Sequence, residues 1–130
     1  MSEANVAIVK GIFDAWGRGD FTSVEWADPE IEFSIPGPDP HVHRGVESTG
    51  RAWAEWLSAF DEFSVAGEEF RDVGDKVVVR QLFRGKGKGS GIPIDEIPGG
   101  SVVTLRDGKV IRFEGHTSFE AALATAGLEP

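Results

Sequence analysis

The chain has 130 residues, 40% of them hydrophobic, with no cysteine and a formal net charge of −9 at pH 7. The length predicts a single domain, residues 1–130, and the acidic balance argues against nucleic acid and anionic membranes, whose phosphates require positive charge. The lack of cysteine excludes disulfides and thiolate catalysis and favours a cytoplasmic location. No apolar run approaches the roughly 18 residues of a membrane span, and no signal peptide opens the chain.

The first part of the chain is predicted to contain a long helix, a short helix and one strand. Apolar residues at three- and four-residue spacing predict a helix over residues 2–16, with the serine at its start as N-cap. A short helical piece is predicted over residues 20–26, and the alternating segment 30–35 predicts a strand. Residues 36–44 hold three prolines and a glycine, so we expect a rim loop there.

A second long helix is predicted over residues 45–60. Its apolar side carries Val46, Trp53 and Trp56 among others. Gly50 lies inside this helix, where glycine costs roughly 1 kcal/mol relative to alanine. The sequence therefore predicts close packing at Gly50.

The second part of the chain is predicted to be mostly strand. We expect strands over residues 63–73 and 75–91, a loop or irregular edge over residues 92–100, and strands over residues 101–105 and 109–115. The Arg-Asp-Gly sequence between the last two strands is typical of a tight hairpin turn. A terminal helix should follow, begun by a capping box of a threonine and a glutamate and ended by a glycine.

The two faces of the long strand, residues 75–91, differ in character. Because side chains alternate, one face is expected to be the floor of a concave surface. That face carries Val77, Val79, Gln81, Phe83, Gly85 and Gly87. The other face carries a basic ridge, which is expected to be solvated or to face a second subunit, and its members are Arg80, Arg84, Lys86 and Lys88.

The terminal elements complete the prediction of the fold class. Thr117 and Glu120 form the expected capping box, and Gly127 ends the helix that it begins. Helices come first and mostly antiparallel strands follow, which predicts an α+β fold. A curved sheet wrapped over two apolar helices encloses a cone, and such a cone is a suitable pocket for a small molecule.

Several local stretches resemble one known family. They are Gly17-Arg18-Gly19-Asp20-Phe21, Gly74-Asp75-Lys76-Val77-Val78, Gly85 to Gly91, Leu105-Arg106-Asp107-Gly108-Lys109-Val110, Ala121-Ala122-Leu123 and Ala126-Gly127-Leu128. With the order of elements, they are similar to the SnoaL-like, polyketide cyclase-like branch of the nuclear-transport-factor-2-like superfamily. The resemblance implies a strongly curved, mostly antiparallel sheet wrapped around N-terminal helices in a cone-shaped, cystatin-like roll. It also implies a homodimer formed through the open sheet face, and no cofactor is expected.

The superfamily contains enzymes as well as binding and dimerisation modules, so its known active sites were placed on this sequence. The steroid isomerase tyrosine falls at Ile12, its base at Phe33 and its second acid at Ser101. All three groups are missing, so that activity is rejected. The acid of the epoxide hydrolase falls near Gly115, and the chain contains no tyrosine to hold an attacking water as in scytalone dehydratase.

A SnoaL-like cyclase needs only one acid/base group in an apolar cone, and His116 is the candidate for that group. Histidine titrates near neutral pH and can pass a proton in either direction. The alternative is that His116 caps the strand end or packs at the dimer interface.

Two other motifs have some features of a metal site and of a nucleotide site. His41 and His43, with Asp39 nearby, have the spacing of a chelating pair, but no third ligand is apparent, so no metal site is predicted. His41 reaching over the pocket mouth is more plausible. The glycine- and lysine-rich segment 85–91 continues a strand and lacks the spacing of a phosphate loop, which excludes nucleotide binding.

The expected ligand is a small apolar molecule that carries a carbonyl or hydroxyl group. The chain has four tryptophans and nine phenylalanines, more than a core of this size needs, so some should line the pocket with Gln81 as a polar anchor. The predicted ligand-binding residues are Trp16, Trp26, Phe33, His41, Trp53, Trp56, Phe60, Gln81, Phe83 and Phe113. Three hypotheses stay open: a cyclase or isomerase that uses His116, a binding module without chemistry, and a protein-interaction domain without a small ligand.

Overall fold

A computed structural model describes residues 2–22, 24–35, 41–89, 91 and 93–128. These described residues contain three helices and six strands. Within these ranges, the side chains of Ser2, Ile35, His41, Ile94 and Asp95 are outside the description. The elements are α1 (Ser2–Gly17), β1 (Ala27–Ile35), β2 (His41–Arg44), α2 (Val46–Leu57), β3 (Phe60–Val73), β4 (Lys76–Gly87), β5 (Pro93–Arg106), β6 (Lys109–His116) and α3 (Phe119–Thr125).

The described strands form one six-stranded sheet with the order β2-β1-β6-β5-β4-β3. Every neighbouring pair is antiparallel except β1 and β6, which are parallel. The predicted α+β class and the mostly antiparallel sheet are therefore confirmed. None of the helices in the described residues is long and apolar enough to cross a bilayer.

The inner face of the sheet, which α1 and α2 cover, holds the main core. Val9, Ile12, Phe13 and Trp16 recur along α1 at helical spacing and are buried against it. The strands contribute Ile31, Phe33, Phe63, Val65, Val77, Val79, Val103, Leu105, Val110 and Phe113. Each such side chain contributes roughly 1.5–3 kcal/mol on burial, so this face holds the helices in place.

The outer face carries α3. Val78 and Val102 are fully buried there against Phe119, Ala122 and Leu123 of this helix. The helix N-cap is Ser118, whose Oγ accepts a hydrogen bond from the Ala121 backbone amide at 3.0 Å. The predicted capping box is therefore wrong by one position.

The basic ridge of β4 also lies on the outer face, and acidic side chains of β3 and β5 neutralise it. The Arg80 guanidinium lies 4.3 Å from the centre of the Phe119 ring and 3.5 Å from Glu69. Arg84 pairs with Glu96 on β5, and Lys86 pairs with Glu62 on β3. Arg80 is therefore half-buried by α3, while Arg84 and Lys86 are exposed.

The predicted hairpin between β5 and β6 is confirmed, and so is the end of α3. Asp107 and Gly108 have φ angles of 52° and 78°, the two left-handed positions that the mirror-image type I′ turn requires. At the end of α3, Gly127 has a φ of 82°, and the Leu128 amide donates to the Leu123 carbonyl at 2.8 Å. This arrangement is a glycine C-cap.

No short helix is present in the described residues of segment 20–26. Asp20 Oδ1 accepts hydrogen bonds from the backbone amide of Thr22 at 3.1 Å and from its hydroxyl at 2.7 Å. These bonds lower the pKa of Asp20. The predicted helix is wrong because this local turn offers the backbone an alternative to helical hydrogen bonds.

Two stretches predicted as loops contain strand instead. Residues 41–44 form β2, which pairs with β1, while residues 36–40, with Asp39, lie outside the description. β5 begins at Pro93, within the predicted loop 92–100. Residues before Gly100 face β4 only, because β6 ends opposite Gly100, and proline is tolerated on such an unpaired edge.

The second long helix is shorter than predicted, and its glycine is not closely packed. α2 ends at Leu57, and Phe60 already belongs to β3. A Cβ atom built on Gly50 has no heavy atom within 4 Å. The expectation of close packing at Gly50 is therefore wrong. β4 also ends at Gly87, short of the predicted residue 91.

Candidate functional site

A cavity of about 110 Å³ lies between the inner face of the sheet and the two long helices. We call it the inner cavity. The described residues that line it are Trp16, Phe33, Ser34, Trp53, Trp56, Val65, Gln81, Phe83, Ser101, Phe113 and Gly115. They come from α1, α2 and all strands except β2, so the whole fold positions the site.

Aromatic rings form most of the wall of the inner cavity and contact one another. Phe33 and Phe113 are stacked with their centroids 5.2 Å apart, and Trp16 lies 5.4 Å from Phe113. Trp53 of α2 meets Phe33 edge-on at 5.6 Å. Such ring pairs each contribute about 0.5–1.5 kcal/mol beyond burial, so this part of the wall is held by its own contacts.

One polar pair interrupts the apolar wall. The Ser101 hydroxyl donates a 2.6 Å hydrogen bond to Gln81 Oε1, and both residues are buried, with 0% and 4% of their surface exposed. Gln81 Nε2 has no hydrogen-bond partner among the described residues, and it is not one of the fully buried polar atoms that lack a partner. The amide is therefore open to the inner cavity and well placed to donate to a ligand oxygen.

No titratable side chain is found among the described residues that line the inner cavity. His116 follows Gly115 on β6 and pairs with Gly100, whose missing side chain would contact α3. Because strand residues alternate, His116 faces the outer side with Gly100 while Gly115 lines the cavity. Its Nε2 is buried and lacks a hydrogen-bond partner within the described ranges.

Seven of the ten residues predicted to bind a ligand line the inner cavity, and two others, Trp26 and Phe60, do not. Trp26 lines a second cavity of about 180 Å³, the side cavity, which lies between α2 and the chain segment from Phe21 to Ile31. Phe60 packs against Trp56 at 5.2 Å and against Phe63 at 4.9 Å. The side chain of His41 lies outside the description.

The histidine pair considered for a metal is only partly described. His43 Nδ1 lies 3.3 Å from the hydroxyl of Ser48 on α2. Among the described residues, no three His, Asp or Glu side chains come close enough together to hold a metal ion. The observed contact of His43 is therefore with a helix side chain of its own fold.

Four residues of the inner cavity were not predicted as ligand-binding. They are Ser34, Val65, Ser101 and Gly115. Ser101 and Gly115 occupy the positions where related enzymes carry acids, so the family pattern contained a signal for them. No signal in the sequence pointed to Ser34 or Val65, because sequence does not show where a strand end curves toward a cavity.

Solved structures support the fold. A protein from Jannaschia sp. CCS1, named as a candidate SnoaL-like polyketide cyclase, has a TM-score of 0.78 and 24% identity over 99% of this chain and 95% of its own. A candidate polyketide cyclase from Sinorhizobium meliloti has a TM-score of 0.69 and 26% identity over 89% and 99%. An NTF2-like protein of unknown function from Mesorhizobium loti has a TM-score of 0.67 and 20% identity over 88% and 91%.

A comparison with curated proteins found no match. The family model of the SnoaL-like domain matches residues 9–113, which is most of the chain and includes nearly all of the inner cavity. The fold is that of an NTF2-like protein, and the chain belongs to the SnoaL-like family.

Proposed function

We propose that this protein binds a small, uncharged, largely apolar molecule in the inner cavity, through a carbonyl or hydroxyl oxygen. The observation that carries the proposal is the Gln81 amide, whose Oε1 is occupied by Ser101 while its Nε2 hydrogens have no partner in the described part of the chain. A ligand oxygen could accept a hydrogen bond from Nε2, and the surrounding rings would cover the apolar remainder of the ligand.

The cavity wall favours a neutral ligand. A charged group in an apolar cavity loses its hydration, and this loss is offset only by a partner of opposite charge. The described lining offers no such partner. An acid or an amine in its charged form is therefore disfavoured relative to a ketone, an ester or an alcohol.

The alternative is a SnoaL-like cyclase or isomerase, and the likeness to two candidate polyketide cyclases supports it. In such a reaction Gln81 would donate to an enolate oxygen. The acid/base group is the weak point of this alternative, because His116 faces the outer side of the sheet. The inner cavity thus favours binding without chemistry over catalysis by His116, and loss of turnover in His116→Ala would reverse that order.

Acetophenone and ethylbenzene form a matched pair of probes for the role of Gln81, because they differ in the carbonyl oxygen. Calorimetric titration should give tighter binding of acetophenone than of ethylbenzene to the wild type. In Gln81→Leu, acetophenone should bind about tenfold more weakly, the loss of roughly one hydrogen bond. Ethylbenzene should bind equally to both proteins, which controls for damage to the cavity.

Two outcomes would contradict the proposal. The first such outcome is equal affinity of acetophenone for the wild type and Gln81→Leu, which would show that the Gln81 amide does not donate a hydrogen bond to the ketone oxygen. The other is no saturable binding, and no rise in melting temperature, with either probe. The second outcome would favour the protein-interaction hypothesis.

We also propose a homodimer that forms through the part of the outer face left open by α3. There Glu32 accepts a 2.9 Å hydrogen bond from Arg112 and lies 3.5 Å from Arg44. Charges of both signs on one open surface suit a self-complementary contact. Sedimentation velocity should give a dimer for the wild type and a monomer for Arg112→Glu, and a monomeric wild type would refute the proposal.

A further inference from the structure

One wall of the side cavity is a face of α2 that carries two small residues, Gly50 and Ala54, between larger ones. Six α2 residues line it at helical spacing, and they are Val46, Thr49, Gly50, Trp53, Ala54 and Leu57. A Cβ atom at Gly50 would meet no heavy atom within 4 Å, and Ala54 is exposed. The face of α2 that would normally complete a core thus leaves a hollow in its middle.

The walls of the side cavity are apolar except for Thr49, whose buried hydroxyl has no hydrogen-bond partner among the described residues. Across from α2 it is bounded by Phe21, Val24 and Trp26 from the segment that was predicted to be helical. Val24 has 48% of its surface exposed. Glycine in a helix interior costs roughly 1 kcal/mol, and close packing does not account for Gly50. Space for an apolar group does account for it.

The side cavity and the inner cavity share two walls. Trp16 and Trp53 line both of them, and their ring centroids are 5.1 Å apart. Trp53 is half-buried, and its indole packs against Phe21 on the side-cavity wall and Phe33 on the inner-cavity wall. A ligand that extends from one space into the other must therefore displace this one ring from its contacts.

The inner cavity alone is small for a ligand. Its volume of about 110 Å³ is about a third of the lower limit that is usual for ligand pockets, roughly 300 Å³. Together with the 180 Å³ of the side cavity, it approaches the lower end of the roughly 300–1,000 Å³ that is usual for ligand pockets. A molecule larger than a single ring therefore needs both.

We propose that the side cavity receives the apolar tail of the ligand whose oxygen binds Gln81, passing beside the Trp53 indole. This inference rests on the proposed function and narrows its ligand class. The ligand is elongated, with an oxygen-bearing head of about one ring and an unbranched or narrow apolar tail. Neutral compounds that have the head without the tail should bind, but weakly.

Acetophenone and 4-butylacetophenone test the tail directly, because they share a head and differ by four carbons. In calorimetric titrations of the wild type, 4-butylacetophenone should bind at least tenfold more tightly, since each buried methylene is favourable. Gly50→Leu fills the side cavity without touching the inner one. It should abolish this gain and leave acetophenone within about twofold of its wild-type affinity, about 0.4 kcal/mol.

Gly11→Leu is the matched control. Gly11 is also an exposed glycine inside a helix whose Cβ would meet no heavy atom within 4 Å, and it lines neither the inner nor the side cavity. Both substitutions remove a helix-interior glycine, so both proteins should fold and melt at or above the wild-type temperature. Only the Gly50 variant should lose the preference for the butyl tail.

The indole signals of the four tryptophans in a ¹H–¹⁵N spectrum give an independent readout. Of the two cavities, Trp56 lines the inner cavity and not the side cavity, and Trp26 lines the side cavity and not the inner one. Of these two signals, acetophenone should shift that of Trp56 and leave that of Trp26 unchanged, whereas 4-butylacetophenone should shift both. Assignment follows from Trp26→Phe and Trp56→Phe.

The outcomes separate this inference from the proposed function. If acetophenone binds in a Gln81-dependent way but the butyl tail adds no affinity, the tail site is refuted and the head site stands. The inference also fails if Gly50→Leu weakens both ketones equally, or if Trp26 does not respond to 4-butylacetophenone. If neither ketone binds, both proposals fail.

Discussion

Gly99 and Gly100 are neighbours on β5, yet they meet opposite surroundings on the two faces of the sheet. A Cβ at Gly99 would lie 3.2 Å from the Phe83 ring, 3.3 Å from the His116 carbonyl and 3.4 Å from Gln81 Nε2. A Cβ at Gly100 would lie 2.6 Å from the Ser118 carbonyl oxygen and 2.9 Å from Phe119 Cα. An added Cβ at Gly99 would thus make tight contacts on the inner face, whereas one at Gly100 would clash on the outer face.

The difference between the faces follows from what covers them. On the outer side the backbone at the start of α3 rests directly on β5, and backbone cannot withdraw without moving the helix. On the inner side, the atoms nearest to Gly99 are the side chains of Phe83 and Gln81, which can adopt other rotamers, and the carbonyl oxygen of His116. Close packing therefore fixes the outer face, while the inner face leaves space for a cavity.

The largest predicted effect comes from adding a methyl group to the outer face. Gly100→Ala should lower the free energy of unfolding by about 3 kcal/mol or more, because the helix must shift to admit the new atom. Gly99→Ala should cost about 1 kcal/mol, since its neighbours need to give only a few tenths of an ångström. Guanidinium unfolding measured by circular dichroism gives both values.

Equal destabilisation by the two alanine variants would contradict the comparison. A larger loss for Gly99→Ala would mean that the inner face is the more closely packed of the two. Acetophenone binding adds a second check, because Gly99→Ala places its methyl group beside the Gln81 amide. The Gly100 variant, if folded, should bind this ketone as the wild type does.

The second prediction concerns the buried polar pair of the inner face. Ser101→Ala leaves Gln81 Oε1 without its donor and should cost about 1–3 kcal/mol of stability. In the double variant Gln81→Met/Ser101→Ala, both polar groups are gone, and the loss should be smaller than the sum of the single losses. The double-mutant cycle should give a coupling energy of roughly 0.5–3 kcal/mol, and a coupling near zero would refute a direct hydrogen bond.

The fold could be predicted from the sequence wherever a pattern repeats along one element. Three such patterns depend only on neighbouring residues, so they predict the same local structure in any fold. They are the apolar spacing of α1, the alternation in β4 and the Asp-Gly turn after β5. The helix predicted at 20–26 is absent from the described residues because Thr22 donates two hydrogen bonds to Asp20, and residue propensities do not record such local bonds. β5 extends through two prolines because β6 ends before it reaches them, which leaves that edge of β5 unpaired. The sequence alone does not show which strands are neighbours or where each one ends.

The candidate site shows the same limit. Aromatic residues on apolar stripes were predicted to reach the cavity, and most of them do. The apolar face of a helix or strand turns toward the interior, so the face alone is enough to predict which side chains point there. The partner of Gln81 was not foreseen, because it depends on the register between β4 and β5. That register places Gln81 opposite Gly99 and Ser101 opposite Val79. His116 illustrates the same point, since whether it faces inward depends on a single residue of register.

The third prediction contrasts glycines that have free space around an added Cβ atom with those that do not. Its expected effect on stability is smaller. Gly50→Ala should raise the free energy of unfolding by up to about 1 kcal/mol, because alanine is a better helix former and meets no atom within 4 Å. Gly11→Ala in α1 should have a similar effect for the same reason. Destabilisation by Gly50→Ala would show that the hollow in α2 is required for the fold itself.

The smallest predicted effect is a pH dependence that arises on the outer face. Arg71 Nε donates a 2.7 Å hydrogen bond to the Glu69 carboxylate, and this bond, aided by the charges of Arg71 and Arg80, lowers the pKa of Glu69 below its ordinary value of 4.5. A carboxylate with a lowered pKa stabilises the fold when it is ionised, above the pKa of the unfolded chain. Its contribution is lost as the pH falls through the lower, folded-state pKa.

Glu69→Gln should therefore unfold more easily than the wild type above pH 5, and the difference between the two proteins should shrink as the pH falls below 4.5. The control is Glu68→Gln, which removes the same charge from the adjacent exposed residue, where no ion pair is found within the described chain. Because Glu69 and both arginines are partly exposed, added salt should also reduce the difference. A pH-independent difference would mean that Glu69 contributes through packing alone, and the outer face would then owe its stability to α3 and not to the charges around it.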